Sequence, residues 1–245
     1  MRIAILGATG HIAKGLIENF ISDTSHQLFL FSRSLASFNG YPVELPEKRV
    51  TTLTNDSFGQ YKYDAVINCV GVGDPQKVKE LSGQIFSITE KFDRLVLNYL
   101  IQYPKCRYIN FSSGAVYGKE IDDIISEQSM LKLAVNNIGD KDYYAIAKLN
   151  SEAKHRSFPE LTIVDIRVFS YFSRYINLNA KFLITEILSS ILEKKVFLTD
   201  SNDIIRDFIG PKDLFNLVDL CLKHPGHLNM ALDVYSKKPV KKMQI

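Results

Sequence analysis

A tyrosine and a lysine stand four residues apart in the segment Tyr144-Ala145-Ile146-Ala147-Lys148. On a helix both side chains share one face, where the lysine ammonium favours the phenolate and is expected to lower the pKa of Tyr144 toward neutrality. About thirty residues earlier, Ser112 and Ser113 end an apolar run and offer hydroxyl groups. A hydroxyl donor, an acidic tyrosine and a lysine are the groups that hydride transfer at a carbonyl or alcohol carbon requires.

A turn containing two glycines lies near the beginning of the chain. The segment Gly7-Ala8-Thr9-Gly10-His11-Ile12-Ala13 follows an apolar run and precedes a helical pattern. Gly7 allows a tight turn, and Gly10 lets the backbone approach a pyrophosphate at the helix N-terminus. This context indicates dinucleotide binding, the alternative being a turn without a ligand. We interpret His11 as a packing residue or N–H donor.

The end of the second predicted strand bears on the choice of cofactor. It reads Leu30-Phe31-Ser32-Arg33-Ser34, whereas an NAD site usually has an acidic residue there that accepts from the ribose 2′-hydroxyl. Arg33, with Ser32 beside it, suits a 2′-phosphate instead. We therefore expect NADP, with NAD as the alternative. In the other interpretation, Arg33 is solvated or stacks on the adenine.

Apolar runs of strand length alternate with helical patterns along most of the chain. The predicted strands cover residues 3–6, 27–31, 64–70, 107–111 and 162–168, and the predicted helices lie near 11–22, 76–103 and 143–157. This alternation is typical of βαβ units and predicts an α/β fold with a doubly wound parallel sheet. Beyond Val168 the pattern predicts a helix at 180–193, a short strand at 196–198 and a helix at 211–222.

Composition excludes several other classes of protein. The net charge is only +3, with dispersed basic residues, so no nucleic-acid partner is expected. The densest basic run, residues 237–242, is interpreted as a solvated tail. Cys69, Cys106 and Cys221 form no CxxC motif and are expected to be apolar fillers in a reducing compartment. With neither a signal pattern nor an apolar stretch of ~20 residues, we expect a cytoplasmic protein without a membrane span.

Five segments together resemble the extended branch of the short-chain dehydrogenase/reductase superfamily, the NAD-dependent epimerase/dehydratase family, which acts largely on nucleotide sugars. The matching segments are the GxxGxI turn at 7–12, the strand end at 64–71, the SSxxVYG segment at 112–118, the YxxxK pair at 144–148 and the RDFI stretch at 206–213. The resemblance implies a Rossmann domain at 1–168. It also implies a small substrate lobe at 169–245, with segments that return to the Rossmann core.

The same resemblance implies a role for individual residues. Ser113 would hold the substrate oxygen, Tyr144 would be the acid/base, and Lys148 would bind the nicotinamide ribose and depress the Tyr144 pKa. Tyr143 competes with Tyr144 but lacks the spacing to Lys148. The expected cofactor-binding residues are Gly7, Thr9, Gly10, His11, Ile12, Ser32, Arg33, Val70, Gly71, Tyr144 and Lys148. No metal site is expected.

The chain departs from the family pattern at two places. Residues 167–174 lack the asparagine and the glycine–proline pair of RxFNxYGP, and Gly114-Ala115 stand where a sugar 4,6-dehydratase needs Asp-Glu. We therefore expect an NAD(P)-dependent keto-sugar reductase or epimerase for a nucleotide-linked sugar, and favour the reductase. The alternative from another class is a non-catalytic dinucleotide-binding protein that senses redox state or scaffolds a partner.

A helix that is apolar on more than one face is expected at residues 84–103. Phe92, Val96 and Leu100 belong to one stripe, and Ile88 and Ile101 to a second. Such a helix must contact something besides the sheet. Together with the helix that carries Tyr144, it predicts a homodimer joined by four helices, as the family resemblance also implies.

Overall fold

The structure, a computed structural model, describes residues 1–118, 125–126 and 128–245. Its strands are β1 (Arg2–Leu6), β2 (Gln27–Ser32), β3 (Val50–Thr54), β4 (Ala65–Asn68), β5 (Arg107–Ser113), β6 (Ile163–Val168), β7 (Ile205–Arg206), β8 (Asn229–Val234) and β9 (Val240–Lys241). Its α-helices are α1 (His11–Asp23), α2 (Pro75–Leu81), α3 (Gln84–Gln102), α4 (Asp140–Arg156), α5 (Leu183–Leu192) and α6 (Pro211–Lys223).

The main sheet is parallel and has the strand order β3-β2-β1-β4-β5-β6-β8. The chain runs outward from β1 to β3, then crosses back to β4 on the other side of β1. This reversal creates a switch point between β1 and β4, where ligands bind in open α/β sheets. The sheet and its flanking helices confirm the predicted doubly wound α/β fold.

Alternate residues of the central strands face two separate apolar cores. On one face, Ile5 of β1 packs with Leu16 of α1 and Leu214 of α6. On the other face, Leu6 packs in a core that includes Leu100 of α3. Because both faces are covered by helices, the central strands are almost continuously apolar, which is why they are readable from the sequence.

The structure corrects two of the predicted elements and adds strands that the sequence did not predict. The helix expected at 76–103 is divided into α2 and α3 at Ser82, whose φ of 44° lies in the left-handed region, and Gly83. The strand expected at 196–198 does not form, and Val196 and Leu198 are 83% and 86% exposed. The edge strands β3 and β8 were not predicted.

The segment after β6 makes a small second layer and then returns to the sheet. Helix α5 and the antiparallel pair β7–β9 stand outside the main sheet, whereas α6 packs beside α1 and β8 pairs with β6. The interpretation of residues 237–242 as a solvated tail is wrong at one position. Lys237, Lys238 and Lys241 are exposed, but Lys242 is buried.

Helix α3 uses most of its apolar surface within the chain. Ile85 and Leu97 are buried, Ile88 is half-buried, and Ile101 is 58% exposed. Less apolar surface is therefore left for a partner than the sequence pattern suggests, and the homodimer stays a prediction.

None of the helices within the described ranges is long and apolar enough to cross a membrane. In the same parts of the chain, no group of three or more His, Cys, Asp or Glu side chains is arranged so that it could hold a metal ion. The three cysteines are free; Cys106 and Cys221 are buried, and Cys69 is half-buried.

Candidate active site

A cavity of about 620 Å³ opens at the carboxyl ends of β1, β4, β5 and β6. One wall comes from residues before α4 ends, including Thr9, Val70, Ser113 and Lys148, and the other comes from residues 168–184, Arg206 and Phe208. The topology therefore brings together the predicted site residues Thr9, Gly10, His11, Ile12, Val70, Gly71, Ser113, Tyr144 and Lys148.

The glycine turn is shaped by its contact with the end of β4. Gly7 has a φ of +69°, and a Cβ atom there would lie 3.0 Å from the backbone nitrogen of Val70. Side chains are excluded by both the backbone conformation and this close approach. The Gly10 N–H donates to the Gly7 carbonyl at 2.9 Å, and Gly10 is the N-cap of α1. The N-terminus of α1 therefore faces the cavity without a side chain that caps it.

The exit from β4 is held by a buried amide. Asn68 accepts a hydrogen bond from the Val70 backbone N–H at 3.0 Å, and its own side-chain nitrogen donates to the Tyr108 hydroxyl at 3.0 Å. Gly71 follows next, and a Cβ atom there would lie 3.4 Å from Lys148 Nζ. These contacts bring Val70 and Gly71 beside the lysine of α4.

Tyr144, Lys148 and Ser113 meet where β5 ends against α4. The Lys148 ammonium is only 4% exposed and donates to the Phe111 carbonyl at 2.7 Å. Burial lowers the pKa of Lys148, although the charges of Asp165 and Asp93 oppose this effect. Ser113 Oγ accepts from the Ala115 backbone N–H at 3.1 Å.

The expectation that the pKa of Tyr144 is lowered toward neutrality is wrong. Burial raises the pKa of Tyr144, and the Ser113 hydroxyl opposes that rise only in part. The sequence argument relied on the charge of Lys148, but the Lys148 ammonium donates to the Phe111 carbonyl and does not contribute to the pKa of Tyr144, whereas the loss of water around the phenol does. Tyr144 is therefore a neutral phenol here, and its proton is available for donation.

Helix α4 faces the sheet with polar side chains at successive turns. After Lys148 comes Glu152, which accepts from the Ser112 hydroxyl at 2.5 Å and pairs with Arg167 at 2.6 Å. His155 follows on the same face and is fully buried. Successive turns of the helix are thus fixed to β5 and β6 by hydrogen bonds.

His155 lies between two carboxylates from distant parts of the chain. Its Nε2 lies 2.6 Å from Asp93 on α3, and its Nδ1 lies 2.8 Å from Asp165 on β6. Carboxylates only accept, so both ring nitrogens carry a proton. Burial alone would lower the pKa of His155, but the hydrogen bonds to Asp165 and Asp93 outweigh it and raise the pKa to about 9.

The buried network continues from Asp165 toward the cavity. Asn110 donates to Asp165 at 2.7 Å, and Asn68, Asn110 and Asp165 are register partners on neighbouring strands. Because Asn68 binds the Val70 N–H, the polar ladder connects the His155 cluster to the wall of the cavity. No local feature of the sequence reveals this arrangement, since its members are far apart along the chain.

His11 joins the two walls of the cavity. Its Nε2 lies 2.7 Å from Ser173 Oγ, and its ring packs edge-on against Tyr171 at 4.8 Å between centroids. Burial and the charge of Lys14 lower the pKa of His11 to about 4, against a smaller opposing effect of Ser173. The imidazole is therefore neutral near pH 7.

Ser32 and Arg33 lie outside this cavity, at the end of β2. Ser32 is buried and donates to the Ser34 carbonyl at 2.7 Å, so its hydroxyl is used within the protein. Arg33 is exposed, and within the described part of the chain its guanidinium has neither a hydrogen bond nor an ion pair. Its guanidinium is therefore exposed at the carboxyl end of β2.

The described lining of the cavity has more basic than acidic side chains, which sequence reasoning did not anticipate. Its described lining contains one acidic residue, Asp74, and five basic residues: Lys14, Lys77, Lys148, Lys181 and Arg206. The Asp74 carboxylate is occupied in capping α2 through the Gln76 N–H at 2.9 Å. A cavity with this balance favours anionic ligands such as phosphates.

A doubly wound parallel sheet with a glycine turn at its switch point defines the Rossmann class of α/β proteins. Comparison with known families then gives a narrower assignment. The chain belongs to the NAD dependent epimerase/dehydratase family, whose model matches residues 3–231. A search of curated protein sequences finds no significant match.

Solved structures show the same fold at low sequence identity. They include a dTDP-glucose 4,6-dehydratase from Bacillus anthracis in complex with NAD (TM-score 0.79, 16% identity, covering 100% of this chain and 78% of that one). A UDP-N-acetylglucosamine 4-epimerase from Methanobrevibacter ruminantium has a TM-score of 0.80 and 17% identity, and the match covers 99% of this chain and 79% of that one. A UDP-glucose 4-epimerase from Thermotoga maritima with UDP-glucose has a TM-score of 0.80 and 14% identity, and the match covers 100% of this chain and 80% of that one.

Proposed function

We propose that this protein is an NAD(P)-dependent oxidoreductase that reduces a keto group of a nucleotide-linked sugar. The observation that carries the proposal is that Ser113, Tyr144 and Lys148 line one cavity together with the glycine turn and several basic side chains. In this proposal residues 1–168 bind the cofactor, and the lobe formed by residues 169–245 recognises the substrate.

The residues present fit a dinucleotide. The backbone at Gly7, Thr9, Gly10, His11 and Ile12 would hold the pyrophosphate, because Gly7 leaves no room for a side chain and the N-terminus of α1 is open. Ser32 and Arg33 would lie at the adenosine ribose, where Arg33 favours NADP over NAD. Val70, Gly71, Tyr144 and Lys148 would lie at the nicotinamide. When bound, the cofactor supplies hydride to a carbonyl carbon.

In this proposal, side chains on α4 and β5 carry out the proton transfer. Ser113 holds the carbonyl oxygen, and Tyr144 donates its phenolic proton to that oxygen while the carbon receives hydride, so the carbonyl becomes an alcohol. Lys148 lies one turn further along the helix, where it would bind the nicotinamide ribose. The raised pKa of Tyr144 suits this direction, because the phenol is protonated before the reaction.

Elimination of water is disfavoured by the space beside Ser113. A Cβ atom on Gly114 would lie 2.3 Å from the Phe169 ring, so an acidic side chain does not fit there without moving that ring. Ala115, the next residue, has no titratable group. Positions 114 and 115 therefore do not supply the Asp-Glu pair that a sugar 4,6-dehydratase needs, although a dehydratase shares the fold.

The second wall of the cavity supports a nucleotide-linked substrate. Lys181 and Arg206 place positive charge across from the chemistry, with Asn177 and Tyr175 beside them. A nucleoside diphosphate sugar would bind its phosphates there and present its sugar to Ser113 and Tyr144. Similar folds are described with UDP-glucose and with UDP-N-acetylmuramic acid.

Epimerisation is the second candidate, because the same three residues serve hydride removal and its return to the opposite face. The experiment that separates the candidates supplies 4-deuterated NADPH or NADH with nucleotide-linked keto-sugars. A reductase transfers one deuterium into each product molecule. Interconversion of sugars without net cofactor oxidation would overturn the reductase and leave the epimerase. Tight NADPH binding without any turnover would favour a redox sensor or scaffold.

A further inference from the structure

A short extended segment around β7 carries two residues of the substrate wall. Arg206 and Phe208 both line the cavity. On one side, the segment is tied to the wall itself: the Ile209 N–H donates to the Ser170 carbonyl at 2.9 Å, and the Phe172 N–H donates to the Ile209 carbonyl at 3.1 Å. The backbone position of this segment therefore decides where the Arg206 guanidinium can reach.

The other side of the segment is held by the basic stretch that includes β9. Strand β7 is only two residues long, and Arg206 pairs with Val240 in antiparallel register. The Lys242 backbone N–H donates to the Ile204 carbonyl at 2.9 Å, and the Met243 N–H donates to Asp203 at 3.0 Å. A two-stranded pair this short is marginal alone, so it needs further contacts to persist.

Lys242 supplies the strongest of these contacts. Its side chain is 3% exposed, and its Nζ donates to Asp200 Oδ1 at 2.8 Å, the Asp200 carbonyl at 2.6 Å and Thr199 Oγ1 at 3.1 Å. Burying an ammonium is unfavourable unless its protons find acceptors, and here three oxygens surround it. The neighbouring Lys241 is exposed. Lys242 therefore fastens the loop before β7 to the strand that pairs with β7.

We propose that Lys242 is a positioning residue that fixes β7 so that Arg206 binds a phosphate of a nucleoside diphosphate in the cavity. This inference rests on the proposed function. Arg206 is exposed, and in the structure its guanidinium donates only to the adjacent Ile205 carbonyl, at 2.9 Å, among the described residues. A long side chain loses much rotamer freedom on binding, and a fixed backbone reduces what must be ordered.

The test measures binding of UDP and of NADPH by calorimetry. Lys242→Met keeps an unbranched side chain one atom shorter and removes the three hydrogen bonds of Nζ. We expect it to raise the Kd for UDP about tenfold, as does Arg206→Ala, and to leave the Kd for NADPH within about twofold. Lys241→Met is the matched control and should change neither. The double variant Lys242→Met/Arg206→Ala should bind UDP no more weakly than Arg206→Ala, because both changes remove one contact.

Backbone hydrogen exchange at residues 204–206 provides a readout that does not need a ligand. Exchange there should be faster in Lys242→Met than in the wild type and unchanged in Lys241→Met. Equal UDP binding by the two lysine variants, or equal exchange, would overturn the inference. Equal loss of UDP and NADPH binding would also overturn it, because the role would then be general stability. If the wild type binds no UDP, the proposed function fails, and the exchange comparison still decides the role of Lys242.

Discussion

Raising the pH from about 6.5 to about 9 should remove the charge on buried His155 and destabilise the fold. The folded-state pKa of His155 is raised from 6.5 to about 9, because Asp165 and Asp93 stabilise the imidazolium against the effect of burial. A group with a raised pKa contributes its full stability below the unfolded value and loses it as pH rises through the folded value. The window for the loss is therefore about pH 6.5 to 9.

The size of the effect follows from the shift in pKa. At 1.36 kcal/mol for each pKa unit, the change corresponds to about 3 kcal/mol, an order-of-magnitude value. That is a large fraction of the roughly 5–15 kcal/mol by which a domain is stable. A second effect overlaps at the upper end. Burial raises the pKa of the Cys106 thiol to about 12, so that thiol ionises first in the unfolded chain and lowers stability above about pH 8.5.

A matched variant separates the two effects. Urea unfolding at about pH 6 and about pH 9.5 would compare the wild type, His155→Gln and the exposed control His227→Gln. The thiols affect all three proteins equally. We expect the stability advantage of the wild type over His155→Gln to shrink by about 3 kcal/mol at the higher pH, and its difference from His227→Gln to stay constant. If the difference in unfolding free energy between the wild type and His155→Gln does not change with pH, the conclusion that His155 is charged is refuted.

Three further predictions concern the chemistry, the cofactor and assembly. Tyr144→Phe should lower turnover by at least ~100-fold without affecting cofactor binding, and Tyr143→Phe should be milder; the reverse order in steady-state assays would contradict the role of Tyr144. Arg33→Ala should weaken NADPH binding roughly ten- to a hundredfold and spare NADH, and an equal loss for both in fluorescence titrations would reject NADP preference. Light scattering should give twice the mass of one chain, whereas a monomer at micromolar concentration would exclude the homodimer.

The parts of the fold that the sequence predicts are those with strong local signals. After Arg2, strand β1 is an apolar run, and the glycine turn and α1 follow it directly. The edge strands have weaker patterns because one side is open to solvent. Strand β3 contains three threonines in five residues, and β8 is mostly half-buried. At Val196 and Leu198 a strand was predicted and none forms, because a segment of strand-favouring residues needs a neighbouring strand to pair with.

Much of the candidate site could also be predicted from the sequence. Ser113, Tyr144 and Lys148 line one cavity, with Ser113 at the end of β5 and the other two on α4 beside it. Side chains that meet only in the folded chain could not be predicted. The contact of His11 with Ser173 and the burial that raises the pKa of Tyr144 both depend on packing between distant segments.

The two walls of the cavity come from stretches of chain that do not interleave, residues 9–148 and 168–208. Under the proposed function, hydride transfer and the choice of sugar are therefore modular. Evolution or engineering can exchange the second stretch for that of a relative and change specificity while the reacting groups stay in place. His11 and Ser173 meet at the seam between the modules, so a successful graft must carry a compatible partner for His11.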